Sequence, residues 1–174
     1  MMTRQQLAMI WDHLRQMNGI SVRLVENLPA DQLEARPIPN MRTPKELIVH
    51  LYGMVVRSMA EGLATGEIVD YDEKAAGAAI RSKEDLVRYC SDCWKAADRA
   101  ITGVTDAQLG AMVKTPWGAP MPAGVCVQAL RDELTHHRGQ LFVFLRALGH
   151  DVPMMWDFEH NAPEFQPKPQ TATA

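Results

Sequence analysis

A chain of 174 residues with 47% hydrophobic and 22% charged side chains is long enough to bury one core and short for two, so a single globular domain is expected. Its formal net charge of -3 and isoelectric point near 6.1 lack the concentrated basic face that phosphate binding requires, which sets nucleic acid aside as the main partner. No run approaches the roughly 18 apolar residues of a membrane span, and the opening Met1-Met2-Thr3-Arg4-Gln5-Gln6 lacks the apolar stretch of a secretory signal, so a cytoplasmic chain with no membrane partner is expected.

Helical periodicity dominates from the start. Leu7, Ile10, Trp11, Leu14, Met17, Leu24 and Leu28 form one stripe between about Thr3 and Leu28, Thr3 and Gln6 have capping-box spacing, and Pro29 stops the helix. A polar connection with Pro37, Pro39 and Asn40 follows, with a short helical turn near Ala30–Glu34. The second helix opens on Thr43-Pro44-Lys45-Glu46, which combines an N-cap threonine, proline at the first position and glutamate three residues after the cap. Leu47, Ile48, Leu51, Val55 and Met59 are its apolar face, and Gly62 and Gly66 mark its end. Ser82-Lys83-Glu84-Asp85 opens the third helix, with Leu86, Cys90, Cys93, Ala97, Ile101 and Val104 as its stripe. A loop rich in proline and glycine around Trp117 leads to the fourth, about Ala123 to Leu148, where Cys126, Leu130, Leu134, His137, Leu141, Phe144 and Leu148 recur at steps of three and four. Four such segments bury their stripes only against one another, which predicts an all-α helix bundle over residues 1–160. Residues 161–174, with three prolines and small polar side chains, are expected to form a loosely ordered tail.

The fourth helix carries the densest chemistry, from Glu133 to Gln140. Glu133 and His137 stand four apart and therefore one above the other, and so do Asp132 and His136. His137 is in line with the apolar stripe and points inward with Glu133 beside it, while Asp132 and His136 are rotated toward a flank. A glutamate turned into an apolar core is costly unless it is paired or binds a metal. Two ligands from one helix need a partner elsewhere, and His50, midway along the second helix at the edge of its buried face, is the best placed. Two imidazoles and a carboxylate suit Zn, Ni, Fe or Mn and leave positions open for water or substrate. A hydrogen-bonded Glu–His pair without metal satisfies the same spacing.

Other features have plainer readings. Cys90-Ser91-Asp92-Cys93 has redox spacing, but both thiols fall in the apolar stripe and read as small core residues. Three cysteines fit a reducing compartment better than a disulfide framework. Arg138, Gly139 and Gln140 read as structural, with Gly139 marking close approach of another helix. Trp117 is placed to wall a pocket, and His13 and His160 have no evident partners. No glycine-rich phosphate loop or nucleophile elbow is present.

The run Leu134-Thr135-His136-His137-Arg138-Gly139-Gln140-Leu141, followed by Leu145-Arg146-Ala147-Leu148-Gly149 and Val152-Pro153, resembles the C-terminal signature of the DinB family. Thr43 to Leu51, with His50, resembles its second helix. The resemblance runs from about Thr3 to Pro153. It implies an antiparallel four-helix bundle of the DinB type, frequently dimeric, with a divalent metal held by three histidines from these two helices. By position the ligands are His50, Glu133 and His137, with glutamate standing where the family pattern has histidine. Relatives include thiol-dependent transferases and an isomerase, so the resemblance implies a metal-dependent enzyme of the thiol-transferase or hydrolase kind. Its nucleophile would be a metal-bound water or thiol, and its cofactors the metal and a low-molecular-weight thiol. A non-catalytic metal-binding protein and a structural homodimer are the alternatives. Ala129, Gln140, Val143 and Ala147 form a second strip on the fourth helix that fits a homodimer. A small-molecule substrate is expected without its class being indicated.

Overall fold

The computed structural model describes residues 2–166, and they are mostly helical. Helix α1 is Arg4–Asn27, α2 is Pro44–Thr65, α3 is Glu73–Ala79, α4 is Lys83–Gly103, α5 is Asp106–Leu109 and α6 is Ala123–Ala147. Short 3-10 turns occupy Ala30–Gln32 and Pro163–Phe165. The four long helices start where the sequence places them, for local reasons. Thr3 and Thr43 each close a reciprocal capping box, with Gln6 and Glu46, and the Ser82 side chain accepts from the Asp85 amide. Each cap satisfies amides that the first turn otherwise leaves unpaired. At the far end of α6, Gly149 takes a positive φ of 87°, and the His150 amide donates to the Leu145 carbonyl at 2.9 Å, which closes the helix.

Packing follows the apolar stripes. α1 and α2 each pack against α4 and α6. Between α1 and α4, Trp11 and Trp94 stack with ring centroids 4.8 Å apart and planes within 2°, and the Trp11 indole donates to Asp98 at 2.8 Å. The stack fixes both rings while leaving the indole N–H a partner. Leu14, Ile20 and Leu24 of α1, Leu47, Ile48 and Leu51 of α2, Leu86 of α4 and Phe144 of α6 are almost wholly buried. At roughly 1.5–3 kcal/mol for each large apolar side chain, this core dominates the favourable side of folding. Among the described residues α2 alone reaches the length and apolarity of a membrane span, and most of it is buried within the fold, as suits a core helix.

α2 is not a regular α-helix throughout. From His50 to Ser58 it is wound as a π-helix, a form that is rare and concentrated at functional sites. Neighbours hold the wide winding in place. A Cβ on Gly53 would come within 2.3 Å of both the Tyr71 ring and the Tyr89 hydroxyl, so only glycine lets these rings reach the helix. The Tyr89 hydroxyl donates to the Val49 carbonyl at 3.0 Å, and the Ser58 hydroxyl donates to the Val69 carbonyl.

The connections and the C-terminal segment add detail to the helical reading, and one glycine departs from it. The loop before α6 contains a two-stranded antiparallel ribbon, β1 (Met112–Val113) and β2 (Met121–Pro122), anchored by buried Val113. Lys114 exchanges backbone hydrogen bonds with Gly66 and Ile68 at 2.9 Å, which ties the Trp117 loop to the end of α2. Within residues 161–166 of the expected tail, buried Asn161 and half-buried Phe165 rest against the fold, while Ala162, Pro163, Glu164 and Gln166 are exposed. Asn161 is 3% exposed and donates to the Gln16 carbonyl at 2.8 Å. It lies so close to Gly19 that a Cβ there would meet it at 2.5 Å. Residues 167–174 of the expected tail lie outside the described residues. Gly139 faces solvent, and among the described residues nothing lies within 4 Å of the position a Cβ would take, so the close helix approach expected there is not seen within the chain.

Candidate metal centre

Helix α6 presents Glu133 and His137 one turn apart, and His50, the first residue of the π-wound segment of α2, stands opposite them. His50 Nε2 lies 3.1 Å from His137 Nε2, and His137 Nε2 lies 3.1 Å from Glu133 Oε2. One ligating atom from each of the three falls within 4.8 Å of the others. The three residues singled out from the sequence are therefore brought together. His137 is 5% exposed. Glu133 differs from expectation: its side chain is 52% exposed, so it stands at the mouth of a cavity and not in apolar core, and its ionised form costs little there.

The outer nitrogens of both imidazoles are engaged. His50 Nδ1 donates to Glu73 Oε1 at 2.5 Å, and His137 Nδ1 donates to Gln140 Oε1 at 2.7 Å. Each bond places the ring hydrogen on Nδ1 and leaves Nε2 with a lone pair. The centre thus gathers two imidazole lone pairs and a carboxylate oxygen around one point, with no hydrogen between them while the rings are neutral. Burial holds the His137 imidazole below the usual histidine value; Gln140 and Glu133 oppose that shift, and His50 and His136 reinforce it. Three mutually repelling acceptors at this spacing are stable once a cation sits among them. A tetrahedral ion with ligands at ~2.1 Å separates its donor atoms by roughly 3.4 Å, close to the two separations of 3.1 Å, while ligating atoms of His50 and Glu133 stand within 4.8 Å of each other, so the donor set fits a divalent ion.

Glu73 escapes sequence reasoning. It sits on α3, a seven-residue helix with no buried residue, and reaches His50 only through the tertiary fold. Its other oxygen meets Arg42 at 3.6 Å. Gln140 carries more than the structural part expected of it: besides accepting from His137, it donates to His136 Nε2 at 3.1 Å. Its position three residues after His137, one turn away on the same face, was the available signal. Asp132 pairs with Arg131 at 3.0 Å on the surface, clear of the centre, as its rotation around the helix predicts. Arg138 is buried and donates to the Met155 carbonyl at 3.3 Å, tying the C-terminal segment to α6. The thiols of Cys90, Cys93 and Cys126 are free and buried, and burial pushes all three upward in pKa, which suits core residues and not nucleophiles. Asp157, Glu159 and His160 also cluster, but Asp157 is already held by Arg23 at 2.8 Å and by His160 at 2.5 Å.

His50, Glu73 and Glu133 line one side of a cavity of 540 Å³ that also takes in Met54, Met59 and Trp117. Trp117 thus walls a pocket beside the cluster.

Residues 13–141 match the DinB superfamily. The chain belongs to that superfamily. Among solved structures it resembles a DinB-like protein of Bacillus subtilis, at 20% identity and a TM-score of 0.67 over 84% of this chain and 95% of the other. A DinB-like protein of Bacillus cereus gives 18% identity and a TM-score of 0.66 over 86% and 95%. A mycothiol-dependent maleylpyruvate isomerase gives 20% identity and a TM-score of 0.60 over 85% and 70%. At these identities the likeness establishes a DinB-like fold. No curated protein matches the sequence.

Proposed function

We propose that this DinB-superfamily protein binds a divalent metal ion through His50 Nε2, His137 Nε2 and a Glu133 carboxylate oxygen, and that it uses the ion to act on a small molecule. The scaffold in this reading is an antiparallel four-helix bundle formed by α1, α2, α4 and α6. One observation carries the metal: with Glu73 and Gln140 holding the ring hydrogens on Nδ1, two imidazole nitrogens 3.1 Å apart face each other as acceptors. A carboxylate stands 3.1 Å from one of them. Two nitrogens and one oxygen suit Zn, Ni, Fe or Mn. When bound, such an ion supplies Lewis acidity that lowers the pKa of water or a thiol near it.

The chain's own residues do the rest. Glu73 and Gln140 fix ring orientation and set the tautomer in which each Nε2 presents its lone pair to the centre. Burial of His137 holds it neutral. Exposed Glu133 leaves the cluster open to the adjoining cavity, where a substrate can approach. The structural likeness to a mycothiol-dependent isomerase makes a low-molecular-weight thiol the candidate second cofactor. Three free cysteines agree with a cytoplasmic location. The reading also includes a two-fold homodimer through the exposed face of α6, where Val143 is 49% exposed beside Gln140 and Ala147.

Metal analysis of untagged protein purified without chelators tests the site. One divalent ion per chain is expected in the native protein and none in His50→Ala. Glu133→His should retain or tighten the ion, because imidazole reaches the same point from the same turn. A native protein that takes up no divalent ion would leave a polar Glu–His–His cluster and a structural role.

A further inference from the structure

The cavity beside the cluster has a one-sided character that points to a class of substrate. Its volume of 540 Å³ lies in the range of small-ligand sites, about 300–1,000 Å³. Its apolar wall includes Met54, Val55 and Met59 from α2 and Trp117 from the loop between β1 and β2. The methionine side chains adapt to the shape of what they meet, and Trp117, 54% exposed, offers a free aromatic face. Apart from His50, the charged groups on the wall are all acidic: Asp70, Glu73 and Glu133. Among the described residues no lysine or arginine lines it. The nearby cations, Arg42, Lys45 and Lys74, belong to the adjoining cavity that shares only Glu73 with this one, and Arg42 is turned to a Glu73 oxygen.

With Glu133 given to the metal, and Glu73 held by His50 and Arg42, Asp70 is the remaining acid on the wall. A carboxylate, phosphate or sulfonate on the body of a substrate would lose hydration against the apolar wall and face Asp70, with no lysine or arginine among the described lining residues to pair with it. An apolar body meets matching surface. A cationic one gains from Asp70, which is exposed and in no ion pair among the described residues, and from the face of Trp117. We propose that the cavity receives the apolar body of an uncharged or cationic aryl or alkyl substrate, and that it discriminates against anionic ones. The inference rests on the metal site proposed above, which would hold the reacting end.

The experiment uses the full untagged chain loaded with zinc, with zinc content measured on the same sample. The probes are three benzohydroxamates that share a metal-binding head and differ only in the para group: methyl, aminomethyl and carboxylate. Calorimetry should show the methyl and aminomethyl compounds binding at least tenfold more tightly than the carboxylate. Trp117→Ala should erase most of that difference by weakening the first two, and Asp70→Lys should narrow it by strengthening the third. Zinc at one equivalent with the carboxylate bound as tightly as the others would overturn the substrate class and leave the metal site standing. The expected ranking persisting unchanged in both variants would remove the cavity as its cause. Failure to retain zinc would overturn the metal site and this inference together.

Discussion

The two helices that meet at the centre supply their ligands by different means. On α6, Glu133 and His137 are one turn apart on a regular helix, and Gln140, which orients His137, is one turn further along the same face. That half of the site is local and needs only helical register. On α2, His50 opens a π-wound segment whose winding depends on Tyr71, Tyr89 and Gly53, and it is oriented by Glu73 from a separate helix. That half is assembled from four elements or the loops between them. A half-site set by local register should tolerate changes around it, and one set by tertiary packing should not.

The largest effect is expected where both halves depend on one atom. His137 Nε2 is the near neighbour of both His50 and Glu133, so His137→Ala should reduce metal content to background while the far-ultraviolet helical signal persists. The same variant has a pH signature in metal-free protein. The folded-state pKa of His137 is lowered from 6.5, mainly by burial, so as pH falls below 6.5 the unfolded chain takes up a proton sooner than the folded one. Stability of the metal-free native protein should therefore fall with acidification below that point, and His137→Ala should remove His137's part of the slope.

Gly53→Ala attacks the tertiary half directly. The new methyl would overlap Tyr71 and Tyr89 at 2.3 Å, and overpacking of this kind costs about 1–3 kcal/mol. A lowered melting temperature is expected together with weaker metal binding, because the π segment that must shift begins at His50. Metal affinity unchanged at full stability would show that the winding has no part in placing the ligand.

Glu73→Ala is milder. It removes the acceptor for His50 Nδ1 but no ligand, and loss of such a partner typically lowers metal affinity by about 10–100-fold. Glu73→Gln keeps an acceptor oxygen without the charge, so its affinity, read by chelator competition, should fall between that of native protein and Glu73→Ala.

The same contrast explains what the sequence made legible. Thr43-Pro44-Lys45-Glu46 announces α2 because capping is chemistry among neighbouring residues, and the Glu133–His137 register can be read because helix geometry is fixed. His50 could be placed on a buried edge, but its π winding could not be foreseen. Tyr52, Gly53, Val56 and Ser58 are buried along with the expected stripe, so the segment is enclosed on most sides and its apolar pattern carries little period. Glu73 was hidden for the opposite reason. Its helix, Glu-Lys-Ala-Ala-Gly-Ala-Ala, has no apolar stripe to say which way it docks. Glu133 was placed on the right turn but with the wrong surroundings, since register gives direction around a helix and not how far the neighbouring loop covers it.

The smallest prediction sharpens the comparison with a second glycine. Gly139 lies two residues from His137 on α6, yet nothing approaches within 4 Å of the position a Cβ would take. In an exposed helix interior glycine is less favourable than alanine by about 0.8–1.0 kcal/mol, because alanine leaves the unfolded chain fewer conformations to lose. Gly139→Ala should therefore raise the melting temperature slightly and leave metal affinity unchanged, opposite to Gly53→Ala in stability and without its effect on the metal. Its side chain would project from the face of α6 proposed as the dimer surface, so light scattering belongs in the same experiment. A monomer gaining stability as predicted would show that Gly139 is an unforced weak point of a locally determined helix. A stability loss that accompanies dissociation of a native dimer would instead reveal the close helix contact expected from the sequence, made by a second copy of the chain.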